Sequence, residues 1–112
     1  MIWLEMISIR TAGTTETEKV LEICRECLRP FSARGPLTMK VYCSAKYKTD
    51  ISIHFQWKSD PGPGSILGME VISALKELGL VNHTLWIERG KFITGTRSEA
   101  ASAAMGTDMK PL

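Results

Sequence analysis

The sequence predicts one α+β domain in which two helices cover one face of an antiparallel sheet. Between residues 37 and 58, apolar and polar residues alternate with a period of two, which is typical of a β-hairpin with one packed face. Segments with apolar residues at three- and four-residue steps flank this hairpin and predict two amphipathic helices. Segments rich in β-forming residues stand at both ends, so the predicted order of elements is βαββαβ over residues 2–89.

Length and composition are those of a small globular protein. The chain has 112 residues, of which 44% are hydrophobic and 23% charged, and this fits one folded domain. The net charge of +2 is too small to indicate nucleic acid or an acidic membrane surface by itself. Because the sequence has neither a signal-peptide pattern nor a long apolar run, we expect a cytoplasmic protein with no membrane contact.

The first two elements are a strand over residues 2–11 and a helix that begins near Thr15. The strand has apolar residues on both faces, which predicts a central place in the sheet. Thr15 and Glu18 have the spacing of a capping box, and the acidic first turn suits the helix dipole. Pro30 follows where the apolar pattern of the helix ends.

The second half of the chain contains the hairpin, another helix and a last strand. The hairpin turns near residues 49–50, and the proline- and glycine-rich segment 60–65 ends its second strand. Ser65 is the expected N-cap of the second helix. Gly79 is expected at the left-handed position that ends this helix, and residues 81–89 predict the last strand.

Right-handed connections between these elements give a ferredoxin-like domain over residues 1–90. Its four antiparallel strands have the spatial order 4-1-3-2, both helices lie on one face, and the open face is predicted to mediate dimerisation. Residues 91–112 form a C-terminal tail rich in Gly, Ser, Thr and Ala. We expect this tail to be flexible or docked on a partner, with a short helix over residues 97–105.

The open face of the sheet is where we expect function. A carboxylate is least costly on this side, which places Trp3, Glu5 and Ile7 there and sends Leu4 and Met6 beneath the helices. Alternation in the other strands adds Lys40, Tyr42, Ser44, His54, Gln56, Lys58, Asn82, Thr84, Trp86 and Glu88. A mixture of aromatic and polar side chains suits a wet subunit interface or a small-ligand site.

At this point the chain resembles a known family. The order of elements, the segment Cys27-Leu-Arg-Pro-Phe31 and the hairpin residues Tyr42 and His54-Phe-Gln-Trp-Lys58 are similar to antibiotic-biosynthesis-monooxygenase-like domains of the dimeric α+β-barrel superfamily. The resemblance covers residues 2–90. It implies a homodimer whose sheets pack face to face. It also implies a pocket between sheet and helices that in some members admits an aromatic substrate for cofactor-free oxidation by dioxygen.

Related members of this superfamily degrade haem with an Asn, a Trp and a His. The present sequence has no Asn in its first strand, and its two histidines lie on strands rather than on the second helix. The haem-degrading site is therefore not transferred to this chain. We expect neither a cofactor nor a metal.

His54 is the predicted general base toward a phenol, because imidazole titrates near neutral pH. Tyr42 or Lys40, across the hairpin, is predicted to help hold the resulting anion. The residues predicted to bind the small aromatic ligand are Trp3, Lys40, Gln56 and Trp86. The simpler interpretation stays open: a solvated histidine on a polar strand face, with tryptophans at a dimer interface.

Two other classes of function stay open. One is a sensing or structural dimer without catalysis. The other is an RNA-binding module, since RNA-recognition domains share this order of elements and stack bases on aromatics of the first and third strands. The outward positions of the third strand are Ser52, His54 and Gln56, which include no aromatic ring, so nucleic acid is not the expected partner.

Cys24 and Cys27 form a C-x-x-C sequence late in the first predicted helix. Redox pairs of this kind lie at a helix N-terminus, where the dipole lowers the thiol pKa. We therefore expect two small helix residues packed in the core. Cys43, His54 and His83 are the remaining soft ligands, and they have no recognisable metal-site spacing.

Overall fold

The computed structural model describes residues 1–13, 15–31 and 35–95, and within them the order of elements is βαββαβ. The strands are β1 (Trp3–Thr11), β2 (Thr38–Cys43), β3 (Asp50–Trp57) and β4 (Gly79–Ile87), and the helices are α1 (Glu16–Leu28) and α2 (Ile66–Leu75). The strands pair in antiparallel fashion in the order β2-β3-β1-β4. This is the predicted order 4-1-3-2 counted from the other edge, so the predicted ferredoxin-like α+β fold is confirmed.

One apolar layer between the sheet and the two helices forms the core. Apart from Glu5, the alternate residues of β1 and β3 that face this layer are β-branched or aromatic, which suits a half-buried pleated surface. The side chains from both strands and both helices make one buried cluster: Ile7, Ile9, Val20, Cys24, Ile51, Ile53, Phe55, Leu67, Val71 and Leu75. Since all the strand residues of this cluster lie on one side of the sheet, neither α1 nor α2 covers the opposite face, which we call the open face.

The orientation of β1 is opposite to the prediction. Glu5 and Ile7 are fully buried beneath the helices, whereas Leu4 and Met6 point to the open face. Trp3 shares the helix-facing side with Glu5, because alternate residues of a strand point the same way. The prediction rested on the cost of burying a carboxylate, and that cost is met by hydrogen bonds to residues distant in sequence.

The predicted orientation of the other three strands is confirmed. Residues directly opposite each other in neighbouring strands share a face. His54 is opposite Met6 on one side and Lys40 on the other, and Leu4 is opposite Trp86. The open face therefore carries the residues of β2, β3 and β4 that the alternation assigned to it.

The two helices begin in different ways. Ser65 is the N-cap of α2, as predicted, and its hydroxyl accepts a hydrogen bond of 2.8 Å from the backbone N–H of Gly68. Thr15 precedes α1, but its side chain caps no backbone N–H, so the predicted capping box with Glu18 is not formed. The acidic first turn of α1 still has the charge that the helix dipole favours.

Gly79 has a different role from the expected helix terminus. Helix α2 ends at Leu75, and Gly79 is the first residue of β4, with no left-handed backbone angle. A Cβ atom at this position would collide with the carbonyl oxygen of Arg10 in β1. Glycine is therefore needed here because two strand backbones approach closely.

Beyond β4 the described chain runs to Gly95 without helix or strand. Glu88 joins this segment to the start of β1, since its backbone N–H donates to the carbonyl of Ile2 and its carboxylate accepts from the N–H of Ile2. The short helix predicted over residues 97–105 lies outside the described residues. Neither described helix is long and apolar enough to cross a membrane.

Candidate functional site

A buried carboxylate lies at the centre of a hydrogen-bond network between β1 and the N-terminus of α2. Glu5 is completely shielded from solvent. Its Oε1 accepts from the indole Nε1–H of Trp57 at 2.9 Å and from the hydroxyl of Ser65 at 2.7 Å. Its Oε2 accepts from the backbone N–H of Ser65 at 3.1 Å and from Nε2 of His83 at 2.8 Å. We call Glu5, Trp57, Ser65 and His83 the Glu5 cluster.

Three strands and one helix position this cluster. Glu5 lies in β1, which is central in the sheet, and Trp57 and His83 come from its neighbours β3 and β4. Ser65 directs the N-terminus of α2 onto the carboxylate, where the helix dipole favours a negative charge. Gly68 provides the space, because a Cβ there would lie 2.9 Å from the carboxyl carbon of Glu5.

The ionisation of Glu5 is determined by two opposing effects. Burial by itself raises the pKa of the carboxyl group, since it penalises the charged form. Hydrogen bonds from Ser65, His83 and Trp57 stabilise the carboxylate and hold the pKa of Glu5 below its ordinary value of 4.5. Glu5 is therefore ionised at neutral pH and acts only as an acceptor, which means that Nε2 of His83 carries the proton in this hydrogen bond.

The other ring nitrogen of His83, Nδ1, has no hydrogen-bond partner among the described residues. The His83 side chain is 21% exposed. The ring lies near the segment that precedes α2, because a Cβ at Gly64 would come within 3.7 Å of Cε1 of His83 and 2.9 Å of Sδ of Met69. An imidazole with one nitrogen bound to a carboxylate and the other unoccupied has the arrangement of a general base.

His54, the base predicted from the sequence, lies on the open face in a different environment. Its Nε2 is 2.8 Å from Oγ of Ser52, and its ring centroid is 4.6 Å from that of Tyr42, with the planes inclined by 48°. Lys40 is its direct cross-strand neighbour. Burial lowers the pKa of His54 below its ordinary value of 6.5, which favours the neutral imidazole.

The structure brings some of the predicted site residues together and separates one of them. Tyr42, Lys40 and His54 are adjacent on the open face. Gln56 and Trp86 line one groove of about 480 Å³ beside Leu4 on the same face. Trp3 lies on the opposite, helix-facing side, so it cannot line a site with these residues, and the prediction that grouped them was wrong. The ligand-binding roles themselves stay predictions.

A second groove of about 420 Å³ crosses the other end of the open face. Its lining includes Tyr42 and Ser52 together with the exposed side chain of Leu80. An ion pair between Arg10 and Asp50, with Nε and Oδ1 separated by 2.9 Å, borders it. The open face therefore has two shallow grooves, one near each end of β1.

Sequence reasoning missed the Glu5 cluster. It considered Glu5 only as a charge to be kept out of the core, and it considered His83 only as a soft ligand without a recognisable metal-site spacing. The available signal was the combination of the two: one carboxylate in a central strand and one histidine in the last strand, each without a nearby partner in sequence. Buried charged groups in folded proteins are paired, so each should have suggested the other.

The two cysteines of the C-x-x-C sequence have the packing role that was predicted for them. Cys24 is buried in the core, and burial raises its pKa to about 12. Cys27 is partly buried, and burial also raises the pKa of its thiol. Neither is an activated thiolate. Within the described residues, no three His, Cys, Asp or Glu side chains converge in a way that could hold a metal ion.

Comparisons with known proteins identify the fold of this chain. No protein-family model and no curated protein matches the sequence. The monooxygenase ActVA-Orf6 of Streptomyces coelicolor, solved with the ligand Nanaomycin D, matches with a TM-score of 0.64 and 17% identity, covering 83% of this chain and 92% of that chain. SnoaB, a cofactor-independent oxygenase from Streptomyces nogalater, matches with a TM-score of 0.59 and 14% identity, covering 80% and 95%.

A conserved protein from Methanosarcina mazei Go1 is also similar, with a TM-score of 0.62, 10% identity, and coverage of 80% of this chain and 94% of that chain. The chain therefore has the fold of the antibiotic-biosynthesis-monooxygenase-like proteins, as the sequence resemblance implied. At these identities the likeness concerns the fold, and the chemistry has to be argued from the residues of this chain.

Proposed function

We propose that this protein is a cytoplasmic homodimer that binds a small hydroxylated aromatic molecule and oxidises it with dioxygen, without a cofactor. Two proteins of the same fold are described as a monooxygenase and a cofactor-independent oxygenase. The observation that carries the proposal is a partly buried imidazole on each face of the sheet, His54 beside Tyr42 and His83 beside Glu5. The three free cysteines are in keeping with a reducing compartment.

The proposed reaction needs a base and dioxygen. The imidazole removes the proton of a phenol, and the electron-rich phenolate transfers one electron to dioxygen. The two radicals combine at the unsubstituted ring carbon para to the oxygen, and the imidazolium protonates the resulting peroxide. Removal of the C–H proton with cleavage of the O–O bond gives a quinone and water. In total, a phenol and dioxygen give a quinone and water; the substrate supplies four electrons, and the base is regenerated.

The proposed dimer pairs the open faces of two copies. This face carries large exposed apolar side chains, with Leu80 77%, Trp86 57% and Tyr42 48% exposed. A second copy would remove this apolar surface from water, which is favourable in proportion to the area covered. Polar neighbours such as Asn82 and Thr84 suit the hydrated interface that the sequence predicted.

A direct test combines the oligomeric state with oxygen consumption. We expect light scattering to show a dimer at micromolar concentration. We also expect a panel of 1-naphthols and anthrones to consume one dioxygen per quinone formed, with a rate unchanged by a metal chelator. A 1-naphthol blocked by a methyl group at the para carbon is the matched control and should form no quinone.

Two outcomes would contradict the proposal. A monomer at these concentrations excludes the face-to-face dimer. A dimer that binds the panel, measured by tryptophan fluorescence, but consumes no dioxygen would instead support the sensing dimer that the sequence left open.

The RNA-binding alternative loses support from the orientation of β1. The open-face positions of this strand carry Leu4 and Met6, because Trp3 points toward the helices. The outward positions of β3 are Ser52, His54 and Gln56. The stacking platform of RNA-recognition domains uses aromatic rings on both of these strands.

A further inference from the structure

We infer that His83, held by Glu5, is the general base of this protein, and that its ligand is an uncharged phenol or enol bound on the helix-facing side of the sheet beside α2. The inference rests on the proposed function and deepens it, since it assigns the base and the side of the sheet on which the ligand binds. It also differs from the sequence prediction, which gave this role to His54.

Glu5 is fully occupied as a hydrogen-bond acceptor. Each carboxylate oxygen has two lone-pair directions, and the four hydrogen bonds from Trp57, Ser65 and His83 use both directions on both oxygens. Glu5 is also shielded from solvent, so it can neither contact a ligand nor take its proton. It is a positioning residue, and the group that it positions is His83.

Nδ1 is the atom of His83 that would take a proton from the ligand. Its Nε2–H already donates to Glu5 over 2.8 Å, so an incoming proton is accepted at Nδ1. The imidazolium that forms lies next to an ionised carboxylate in a partly buried place, where the attraction is stronger than in water. A carboxylate that orients an imidazole and stabilises its protonated form is the role of the acidic residue in catalytic triads.

The two histidines of the chain differ in hydrogen-bond partner and in position. Nε2 of His54 bonds a neutral hydroxyl, and burial disfavours its protonated form. His54 also lies on the face that the proposed dimer covers, whereas His83 lies on the face that the helices of its own chain cover. Of the two, His83 combines a hydrogen-bonded carboxylate behind the ring with a position that dimerisation leaves open.

The surroundings of His83 define the class of ligand. Glu5 places a full negative charge directly behind the imidazole, which disfavours ligands that are already anionic at neutral pH. The thioether of Met69, which is 52% exposed, and the indole of Trp57 provide soft apolar contacts nearby. These features favour a neutral aromatic molecule with one acidic hydroxyl.

The inference is tested with 4-nitrophenol, which absorbs near 400 nm only as the phenolate and needs no turnover. At a pH below its own pKa, we expect the wild-type dimer to bind it as the phenolate. His83→Gln keeps an N–H donor for Glu5 but cannot take a proton, and we expect the phenolate signal to fall at least tenfold. Lys76→Gln, at an exposed position just beyond α2, is the control and should keep the signal. His54→Gln tests the competing assignment of the base to the other face.

Turnover of 1-naphthol tests the role of His83 separately from the proposed oxygenase activity. We expect kcat/KM to fall about 10²- to 10⁴-fold in His83→Gln, the range for loss of a general base. Added imidazole should restore part of the activity of His83→Ala, which a purely structural role would not allow. For Glu5→Gln we expect kcat to fall with KM little changed, because Glu5 acts through His83 and does not contact the ligand.

The outcomes are distinguishable. Dioxygen consumption by wild type that is unchanged in His83→Gln overturns the inference and leaves the oxygenase proposal standing. A phenolate signal that depends on His83, in a protein that consumes no dioxygen, supports the base and overturns the oxygenase. Absence of the phenolate signal in wild type, or its loss in His54→Gln instead of His83→Gln, overturns the inference.

Discussion

The two faces of the sheet each carry one histidine, and the surroundings of these histidines differ in kind. On the helix-facing side, His83 bonds a buried carboxylate that three other donors hold in place. On the open face, His54 bonds the hydroxyl of Ser52 and touches the ring of Tyr42. The two rings therefore differ in the group that orients them, which is an ionised carboxylate for His83 and a neutral hydroxyl for His54.

The two regions also differ in what they contribute to stability. The Glu5 cluster joins β1, β3, β4 and the N-terminus of α2 through buried hydrogen bonds, so loss of one member leaves the others without partners. The polar groups of the open face are partly exposed and can bond water instead. Changes to the first region should therefore alter folding, while changes to the second should mainly alter association.

The largest effect is expected for Glu5→Ala. This variant leaves the N–H of Trp57, both donors of Ser65 and Nε2 of His83 without their acceptor, and removing one side of a buried charged network costs about 3 to 5 kcal/mol. Urea unfolding followed by tryptophan fluorescence measures the change. Ser52→Ala, which removes the hydrogen bond of His54, is the control and should cost about 1 kcal/mol or less. Equal losses in the two variants would contradict the comparison.

The next effect is expected for Gly68→Ala. The added methyl group would press on the carboxyl group of Glu5 and lie 3.0 Å from Oγ of Ser65, and overpacking of this kind costs about 1 to 3 kcal/mol. The better helix propensity of alanine offsets up to about 1 kcal/mol of this. Gly64→Ala is the control, because its methyl group meets the flexible end of Met69. A Gly68→Ala protein as stable as wild type would show that the carboxylate can move freely.

A smaller effect is expected for Trp86→Ser on the open face. Trp86 is 57% exposed in the single chain, so the free energy of unfolding of the monomer should change by less than about 0.5 kcal/mol. If the open faces pair, loss of this ring should raise the dimer Kd at least tenfold, as for an aromatic residue in an interface core. Sedimentation velocity over a concentration series measures the Kd. Ile66→Ser, a helix substitution of a 71% exposed residue, is the control and should leave it unchanged.

The smallest effect is expected from a change of pH. The contributions of the two faces to stability should be lost in different pH ranges. The pKa of Glu5 is lowered on folding, so its contribution to stability is complete above pH 4.5 and is lost as the pH falls through the folded-state value. The pKa of His54 is also lowered, so stability begins to fall as soon as the pH drops below 6.5. Urea midpoints between pH 8 and pH 3 measure both.

Two variants show which residue causes the loss of stability in each pH range. Glu5→Gln should remove the dependence below pH 4.5, and His54→Gln should remove the part that begins below 6.5. If the urea midpoints of both variants depend on pH as those of the wild type do, Glu5 and His54 do not determine the acid sensitivity.

Much of the fold could be predicted from local pattern, because strand alternation and helical spacing are properties of neighbouring residues. The order of elements, the sheet order and the faces of β2, β3 and β4 all followed from it. Gly79 is an instructive exception. A glycine after a helical stripe predicts a helix terminus, but here the close approach of β4 to β1 requires it, and a contact between strands leaves no local pattern.

The sequence by itself determined the ferredoxin-like arrangement and the open face with His54, Tyr42 and Trp86. Only the tertiary structure decided which way β1 faces, because this strand has apolar residues on both sides and its alternation does not choose between them. The choice depends on Glu5, whose partners Trp57, Ser65 and His83 lie 52, 60 and 78 residues away in the chain. A charge is costly in the core until its donors are brought to it, and folding over long sequence distances is what brings them.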